Sequence, residues 1–350
     1  MKKMTAKKIS LAEIAKLVGG SVKGDPEIQI SSVLPPEKAE PGSIVPLWEK
    51  KYISSVRGGT LLLTKKGWIK EGESGVETDE PRVALIALLA FLGDEPAASS
   101  GVSGRAVVAP DAEIAENVSI AAGAVIRSGA KIGENSVIME NAVICEEVEI
   151  GAGCVIEPGV VVYRRSKIGK GCVLHSNAVI GCEGFGFVPD HKAGMVKIPQ
   201  IGTVRLDDGV EVGACTSIDR ATFGETHVGA MTKIDSQVKI GHNCEIGAYT
   251  IIVAQSGIAG STKIGKGVIM AAQSGASNHS TIGDGCTVGG RGGVVCDIPA
   301  GSTVSGFPAQ SHKLELRQQA AVRRLPELSR QLRELAKKIE KIENEKDADA

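Results

Sequence analysis

A six-residue period of aliphatic residues is the feature that most constrains the fold of this chain. The period does not match the 3.6-residue repeat of an amphipathic helix, and short β-rich segments with glycine corners are typical of a solenoid whose coils pack on their neighbours. We therefore predict a left-handed parallel β-helix with three six-residue sides per coil, the known form of this repeat, over residues 101–308. The positions that share the period are Val108, Ile114, Ile120, Ile126, Ile132, Ile138, Ile144, Ile150, Ile156, Val162, Ile168, Leu174, Ile180, Leu206, Val212, Ile218, Val228, Ile234, Ile240, Ile246, Ile252, Ile258, Ile264, Met270, Ala276, Ile282, Val288 and Val294.

This period also predicts which residues lie near one another. Residues 18 positions apart should stack on successive coils, separated by roughly 4.8 Å, the spacing of strands in a sheet. The period breaks between Ile180 and Leu206. We expect that segment to be a loop that leaves the coil, where functional residues are often found.

The two ends of the chain lack the period and are predicted to be separate domains. Residues 1–100 indicate a small α/β domain, with a polar helix start at Ser10 and short strands near Ile30 and Leu62. Residues 309–350 indicate a helical extension, with leucines three and four positions apart and an excess of basic side chains. An acidic partner and a solvated helix face remain equally open explanations for those basic side chains.

Composition excludes some partners. The 40 Lys and Arg residues balance 41 Asp and Glu residues, so the net charge of −1 gives no bulk attraction to nucleic acid or to an anionic membrane. We find no signal-peptide core and no apolar run of about 18 residues, and we expect a cytoplasmic protein without an integral membrane segment. The cysteines form no CxxC pair, so they are expected to be small buried residues, and no metal site is predicted.

Two histidines are candidates for chemistry. His242 and His279 are 37 positions apart, two coils plus one residue, and should share one face of the coil about 10 Å apart along the axis. Gly260 follows His242 by 18 positions, so its backbone N–H is placed to contact an oxyanion. Asp235 lies near a neighbouring corner and is a candidate to orient His242 as a general base. No Ser or Cys is obviously paired with a base, which favours direct acyl transfer from a thioester carrier.

Longer motifs resemble a known family, the N-acyltransferases of lipid A biosynthesis that acylate UDP-3-O-acyl-glucosamine. The resemblance implies a homotrimer with active sites between subunits, and a (3R)-hydroxyacyl chain carried by acyl carrier protein on a 4′-phosphopantetheine thioester. It implies no bound cofactor. It also implies that His242 is the general base with Asp235 as its partner, that Gly260 is the oxyanion contact, and that His279 lies near substrate. The motifs that carry the resemblance are Leu11–Ala15 with Gly19–Gly20, Gly184–Gly186, Lys197–Gly202, Glu211–Arg220, Asp235–Asn243 and Ser305–Pro308.

The expected uridine-binding residues depart from the family pattern. The family places Phe, Asn and Tyr where this chain has Pro46, Glu49 and Tyr52, so only the tyrosine is kept. A proline cannot stack on uracil as an aromatic ring does, and a glutamate repels phosphate. Pro46, Glu49 and Tyr52 remain candidates for substrate binding. The sequence therefore predicts the type of reaction more firmly than the identity of the acceptor.

Other functions remain open at this point. The same chemistry on a different amino nucleotide sugar is the main alternative, and the O-acylating enzyme of the same pathway is disfavoured by the N-terminal domain. A zinc carbonic-anhydrase-like β-helix would need three histidines at one ion, and His175 lies about four coils from His242. A purely structural scaffold is the last alternative.

Overall fold

The computed structural model describes residues 8–56, 59–93, 101–306 and 311–348 of the chain. The chain divides into two compact units, Met1–Ala97 and Ala98–Ala350. The second unit contains both the predicted β-helix and the helical extension. The predicted boundary between those two parts, at residue 308, lies outside the described residues and stays a prediction.

The first unit is the small α/β fold that the sequence predicts. Helix α1 (Leu11–Val18) begins with a capping box between Ser10 and Glu13 and ends at Gly19, which adopts a left-handed φ of 64°. Helix α2 is Pro81–Leu92. Strands β2, β7, β6, β5 and β4 form a mixed five-stranded sheet, and β1 pairs with β3. The strands are β1 (Ile9–Ser10), β2 (Ser21–Lys23), β3 (Gln29–Ile30), β4 (Ser32–Val33), β5 (Ser43–Pro46), β6 (Leu61–Lys65) and β7 (Gly75–Thr78).

The second unit is a left-handed parallel β-helix, as the six-residue period predicts. Its three sheets, here called I, II and III, are followed by the chain in the order II, III, I. Sheet I contains Ser119–Ile120, Val137–Ile138, Val155–Ile156, Val173–Leu174, Glu211–Val212, Lys233–Ile234, Ile251–Ile252, Ile269–Met270, Thr287–Val288 and Thr303–Val304. Sheet II contains Val107–Val108, Val125–Ile126, Val143–Ile144, Val161–Val162, Val179–Cys182, Ser217–Asp219, Lys239–Ile240, Gly257–Ile258, Gly275–Ala276 and Gly293–Val294. Sheet III contains Glu113–Ile114, Lys131–Ile132, Glu149–Ile150, Lys167–Ile168, Thr203–Leu206, Glu225–Val228, Glu245–Ile246, Lys263–Ile264 and Thr281–Ile282.

The aliphatic period lies inside this coil. Its residues form one continuous apolar core along the axis, in which Cys154, Cys172, Cys244 and Cys286 are fully buried. The strands pair in parallel with partners 18 residues apart, for example Ile126 with Ile144, except where an insertion intervenes and in the last coil, where Thr287 pairs with Thr303. The stacking rule of the sequence is therefore confirmed.

Two segments depart from the regular coil. The predicted loop between Ile180 and Leu206 contains a hairpin of Phe187–Asp190 and Gly194–Lys197, whose strands are exposed. After the coil, α3 (His312–Ala348) forms one helix through Pro326. Within the described ranges, the chain contains no helix of the length and apolar character that crossing a membrane requires.

Candidate active site

His242 lies at the corner between sheets II and III, directly after the strand Lys239–Ile240. The next residue, Asn243, turns the chain with a left-handed φ of 58°, a conformation that asparagine tolerates better than most residues. Ile240 is buried in the core, which fixes the strand and leaves the histidine side chain half-buried at the edge of the coil.

The imidazole of His242 is packed between two glycines. A Cβ atom on Gly260, one coil above, would lie 2.6 Å from Nε2 of the ring and 2.8 Å from Cε1. On the other side, a Cβ atom on Gly184 would lie 2.9 Å from the Cβ of His242. Only backbone can approach the ring this closely. Among the described residues, the amide N–H of Gly260 makes no hydrogen bond, so the residue that packs against the ring also carries a free donor.

Asn243 determines which nitrogen of the imidazole carries the proton. Its Oδ1 lies 3.1 Å from Nδ1 of His242 and accepts a hydrogen bond of 2.9 Å from the backbone N–H of Thr222. Its Nδ2 donates to the carbonyl oxygen of Phe223 at 3.0 Å. Because the amide is held on both sides, Nδ1 of the imidazole must donate to Oδ1, and the lone pair is left on Nε2. Sequence reasoning included Asn243 in a motif but missed this role, although its position beside the histidine at a corner was a signal.

The segment at the base of the hairpin packs behind the corner that holds His242. Gln200 is buried, accepts a hydrogen bond of 2.9 Å from the hydroxyl of Thr222 and donates one of 2.9 Å to the carbonyl oxygen of Ile198. The Oε1 of Gln200 would lie 2.9 Å from a Cβ atom on Gly184. The loop motifs of the sequence therefore meet His242 through Gly184.

Asp235 does not reach His242 within one chain. It lies at the corner between sheets I and II, where its carboxylate accepts hydrogen bonds from the backbone N–H groups of Ser236 at 2.7 Å and Ala254 at 3.1 Å. A whole side of the coil, six residues long and therefore on the order of 20 Å, separates this corner from that of His242. The expected pairing of the two residues remains a prediction that needs a second subunit.

His279 lies at the same corner as His242. Its backbone N–H donates to the carbonyl oxygen of Gly260 at 3.2 Å, just as the N–H of Ser261 donates to the carbonyl oxygen of His242 at 2.8 Å. The two histidines are thus two steps apart on one ladder, about 10 Å along the axis. The side chain of His279 is exposed.

The expected uridine-binding residues lie close together in sequence in the first unit. Pro46 ends strand β5, where it pairs in register with Leu63. Glu49 forms an ion pair of 2.6 Å with Lys51, whose ammonium lies 4.8 Å from the ring centroid of Tyr52. The hydrogen bond to Glu49 raises the pKa of Lys51. The Tyr52 side chain is 44% exposed and therefore available to a ligand.

A third histidine forms a charged cluster on sheet I. Nδ1 of His175 lies 2.9 Å from Glu157 and Nε2 lies 3.0 Å from Glu211, so both ring nitrogens are engaged. Burial opposes protonation of His175, but the hydrogen bonds to Glu211 and Glu157 outweigh it and raise the pKa. Within residues 8–56, 59–93, 101–306 and 311–348, no group of three His, Cys, Asp or Glu side chains is arranged to hold a metal ion.

A β-helix of hexapeptide repeats is the fold of a class of acyltransferases, and in this chain a corner of that fold holds a histidine whose Nε2 makes no hydrogen bond with the described residues. The sequence matches the family described as "Bacterial transferase hexapeptide (six repeats)" over residues 129–164 and 225–260. A solved structure of Arabidopsis UDP-N-acetylglucosamine acyltransferase shares the fold, with a TM-score of 0.52 and 24% identity over 59% of this chain and 71% of that chain.

Relatives that match this chain over nearly its full length identify the family within that class. UDP-3-O-acylglucosamine N-acyltransferase 1 of Gloeobacter violaceus is 42% identical over 95% of this chain and 97% of that protein. UDP-3-O-acylglucosamine N-acyltransferase of Syntrophus aciditrophicus is 49% identical over 96% of this chain and 93% of that protein. The chain therefore belongs to the UDP-3-O-acylglucosamine N-acyltransferase family and is an acyltransferase.

Proposed function

We propose that this enzyme transfers a (3R)-hydroxyacyl group from acyl carrier protein to the 2-amine of UDP-3-O-acyl-glucosamine, a step of lipid A biosynthesis. The observation that carries the proposal is the arrangement around His242. Its Nδ1 is engaged by Asn243, 3.1 Å away, and its Nε2 is directed at the backbone of Gly260. An imidazole held in this way is a general base with one free nitrogen.

The reaction follows from this geometry. Nε2 of His242 accepts a proton from the acceptor amine as the nitrogen attacks the thioester carbonyl, and a C–N bond forms. The oxygen of the tetrahedral intermediate carries the negative charge, and the N–H of Gly260 is placed to donate to it. The intermediate then collapses, the C–S bond breaks, and the leaving thiolate of the 4′-phosphopantetheine arm takes the proton from His242. No covalent enzyme intermediate and no bound cofactor is required.

His279 has a separate role in this proposal. It lies at the same corner about 10 Å from His242 along the axis, too far to share a proton with it directly. Its exposed imidazole instead contacts substrate bound across the corner.

The uridine of the acceptor is assigned to the exposed Tyr52, with Pro46 and Glu49 beside it. The negative charge of Glu49 at this position is offset by Lys51, its ion-pair partner at 2.6 Å. That pairing weakens the repulsion between Glu49 and a nucleotide phosphate, and so supports a UDP-sugar despite the departure from the family pattern.

Acyl carrier protein is the proposed donor partner, and α3 is its proposed docking surface. Both signs of charge occur on the helix, but basic side chains outnumber acidic ones, which favours an acidic protein. The exposed basic residues are Lys313, Arg317, Arg323, Arg324, Arg330, Arg333, Lys337 and Lys338.

The outer faces of the β-helix support a homotrimer. The outward residues of sheet III form charged pairs such as Lys131 with Glu113 at 2.9 Å, as expected for a solvated face. Sheets I and II instead present columns of half-buried valines, which favours their burial against another subunit. These valines are Val137, Val155 and Val173 on sheet I, and Val125, Val143, Val161 and Val179 on sheet II.

In such a trimer, Asp235 acts at His242 only across a subunit boundary. Mixed trimers of Asp235→Ala and His242→Ala subunits test this directly, since each inactive subunit supplies the residue that the other lacks. Recovery of activity on mixing is expected if the two residues come from different subunits. Two inactive parents that remain inactive when co-expressed would remove Asp235 from the proposal and leave Asn243 as the partner.

The central experiment is an acyl transfer assay. Purified protein is incubated with (3R)-hydroxyacyl carrier protein and UDP-3-O-acyl-glucosamine, and the amide product is followed by mass spectrometry, with His242→Ala alongside. Amide formation that is lost in the variant is the expected result. The absence of amide with an active donor would refute this acceptor.

A different amino nucleotide sugar is the second candidate, favoured by Pro46 and Glu49 at the expected uridine-binding positions. The same assay with a panel of amino nucleotide sugars distinguishes the two candidates by the ratio of kcat/KM values.

A further inference from the structure

Below His242, on the same corner between sheets II and III, lies a group of three arginines. Arg220 follows the strand Ser217–Asp219 as His242 follows Lys239–Ile240, so it is one coil away, roughly 4.8 Å along the axis. Arg164 and Arg165 follow Val161–Val162, two coils further down. We call Arg164, Arg165 and Arg220 the arginine cluster.

Arg220 is a buried cation. The residue is 2% exposed, its Nε donates to the carbonyl oxygen of Gly181 at 2.7 Å, and its guanidinium carbon lies 5.8 Å from the ring centroid of Tyr163. Within the described ranges, no carboxylate forms an ion pair with it. Burial, followed by the charges of Arg164 and Arg165, lowers its pKa. Each of these contributions disfavours a positive charge that an anion would stabilise.

Of the carboxylates near the cluster, Asp219 is paired with Lys239, and Glu147, one coil below Arg165, is exposed and balances only one of the three arginine charges. Glu146 is paired with Arg127 at 3.0 Å, and Glu183 is paired with Lys197. Arg165 donates from Nη2 to the carbonyl oxygen of Ile201 at 3.1 Å. Arg164 has an exposed side chain, and no ion pair to it is formed by the part of the chain that the structure describes.

This arrangement differs from that of cations elsewhere on the coil. Along sheet III, Lys131 is paired with Glu113 at 2.9 Å and Lys167 with Glu149 at 3.6 Å, so alternating charges cancel. The arginine cluster instead leaves an excess of positive charge, part of it held in a buried site where its field is weakly screened.

We propose that the arginine cluster binds the phosphate groups of the nucleotide-sugar acceptor, with Arg164 in contact and Arg220 behind it. This inference rests on the proposed function. In UDP-3-O-acyl-glucosamine, the carbon that bears the 2-amine is bonded to the anomeric carbon, which bears the diphosphate. An amine at His242 therefore places the nearer phosphate within about one coil of it, beside Arg220. A diphosphate that extends down the corner brings its second phosphate toward the Arg164 side chain, whose backbone lies two coils below Arg220. Guanidinium groups suit phosphate because they present several donors in one plane.

The phosphodiester of the carrier's 4′-phosphopantetheine arm has the same chemistry and is the alternative source. Its phosphate lies at the far end of a long arm from the thioester, whereas the acceptor diphosphate lies next to the reacting centre. The position of Arg220 directly below His242 therefore favours the acceptor.

The test uses Arg164→Ala in the full-length protein, since this exposed side chain can be removed without disturbing the core. Arg105→Ala, which removes one exposed arginine from the first coil, is the matched control. KM for acceptor and for donor is measured separately, and inorganic pyrophosphate is titrated as a competitor of the acceptor. Arg164→Ala is expected to raise the acceptor KM and the pyrophosphate inhibition constant about tenfold, the loss of one charge-assisted contact. Donor KM should not change, and Arg164→Lys should restore most of the affinity.

A rise in donor KM alone would assign the cluster to the carrier and overturn the proposal, as would unchanged values for both substrates. Calorimetric titration of the protein with pyrophosphate separates this inference from the proposed function. If the wild-type protein makes no amide, the assigned reaction is wrong. The arginine cluster still stands as a phosphate site only if pyrophosphate binds and Arg164→Ala weakens that binding.

Discussion

Replacing Gly260 with alanine is the sharpest perturbation of the corner that we propose to be catalytic. The new Cβ atom would lie 2.6 Å from Nε2 of His242 and 2.8 Å from Cε1. Ordinary contact between such atoms needs about 3.5 Å, so the imidazole must move by roughly 1 Å. It cannot move toward Gly184, since even a Cβ atom there would lie 2.9 Å from the Cβ of His242. The ring must therefore turn outward and loosen its contact with Asn243.

A displacement of about 1 Å in a catalytic group lowers a rate on the order of 10²-fold, or about 2.7 kcal/mol in the activation free energy. The backbone of Gly260 does not adopt a left-handed φ, so alanine itself is tolerated there. We expect the free energy of unfolding to change by no more than about 1 kcal/mol, the value of one hydrogen bond.

The assay measures kcat and KM for amide formation together with the melting temperature, for Gly260→Ala and for the control Gly104→Ala. A Cβ atom on Gly104 meets open space, so the control should behave like the wild type. A Gly260→Ala variant that keeps kcat within about threefold of the wild type would refute the placement of Nε2 against Gly260. A large fall in melting temperature would show that the effect is structural.

Three further predictions concern single side chains. Asn243→Ala should lower kcat about tenfold or more with little change in KM, because His242 loses the group that holds its tautomer; unchanged kcat would remove Asn243 from the site. Because the pKa of His175 is raised, the ion pairs of this histidine stabilise the folded state fully below about pH 6.5, and this stabilisation is lost as pH rises through the folded-state pKa. His175→Gln should therefore lower the melting temperature at about pH 6 more than at about pH 9. The hydroxyl of Ser166 is buried without a hydrogen-bond partner in the described residues, so Ser166→Ala should raise the free energy of unfolding by about 1 kcal/mol. The matched variant Ser136→Ala should lower that free energy, because the hydroxyl of Ser136 bonds to two backbone groups, and equal effects at the two serines would contradict this reasoning.

The β-helix could be predicted almost residue by residue because each coil repeats the same pattern of short strands and corners. When each coil has three sides of six residues, the aliphatic residue of every side points into the core. The number of a residue in the sequence therefore predicts its side and its coil. Gly260 above His242 follows from that rule alone. The stacking rule predicts which backbone positions lie on successive coils, and it does not predict side-chain contacts. It therefore missed the hydrogen bond that Nδ1 of His242 donates to Oδ1 of Asn243.

Elements outside the repeat were predicted less well. Helix α1 carries its own signals, the capping box of Ser10 and Glu13 and the glycine at its end. Helix α2 is apolar on most of its surface, so it lacks the polar alternation that marks an amphipathic helix, and it was not predicted. The hairpin was expected only as a loop, because Pro189 lies within its first strand and no Asn-Gly or Asp-Gly turn follows.

The stacking of coils has a consequence for how an enzyme of this kind can change. Residues at one corner are separated along the axis only by whole coils. The distance along the axis between the backbone of His242 and that of any other residue on its corner is therefore a multiple of roughly 4.8 Å. A short insertion, such as the hairpin, leaves the coil and does not alter that spacing. Small changes in the distance between functional groups must therefore come from the length of their side chains. A larger change requires that an entire coil of 18 residues be gained or lost.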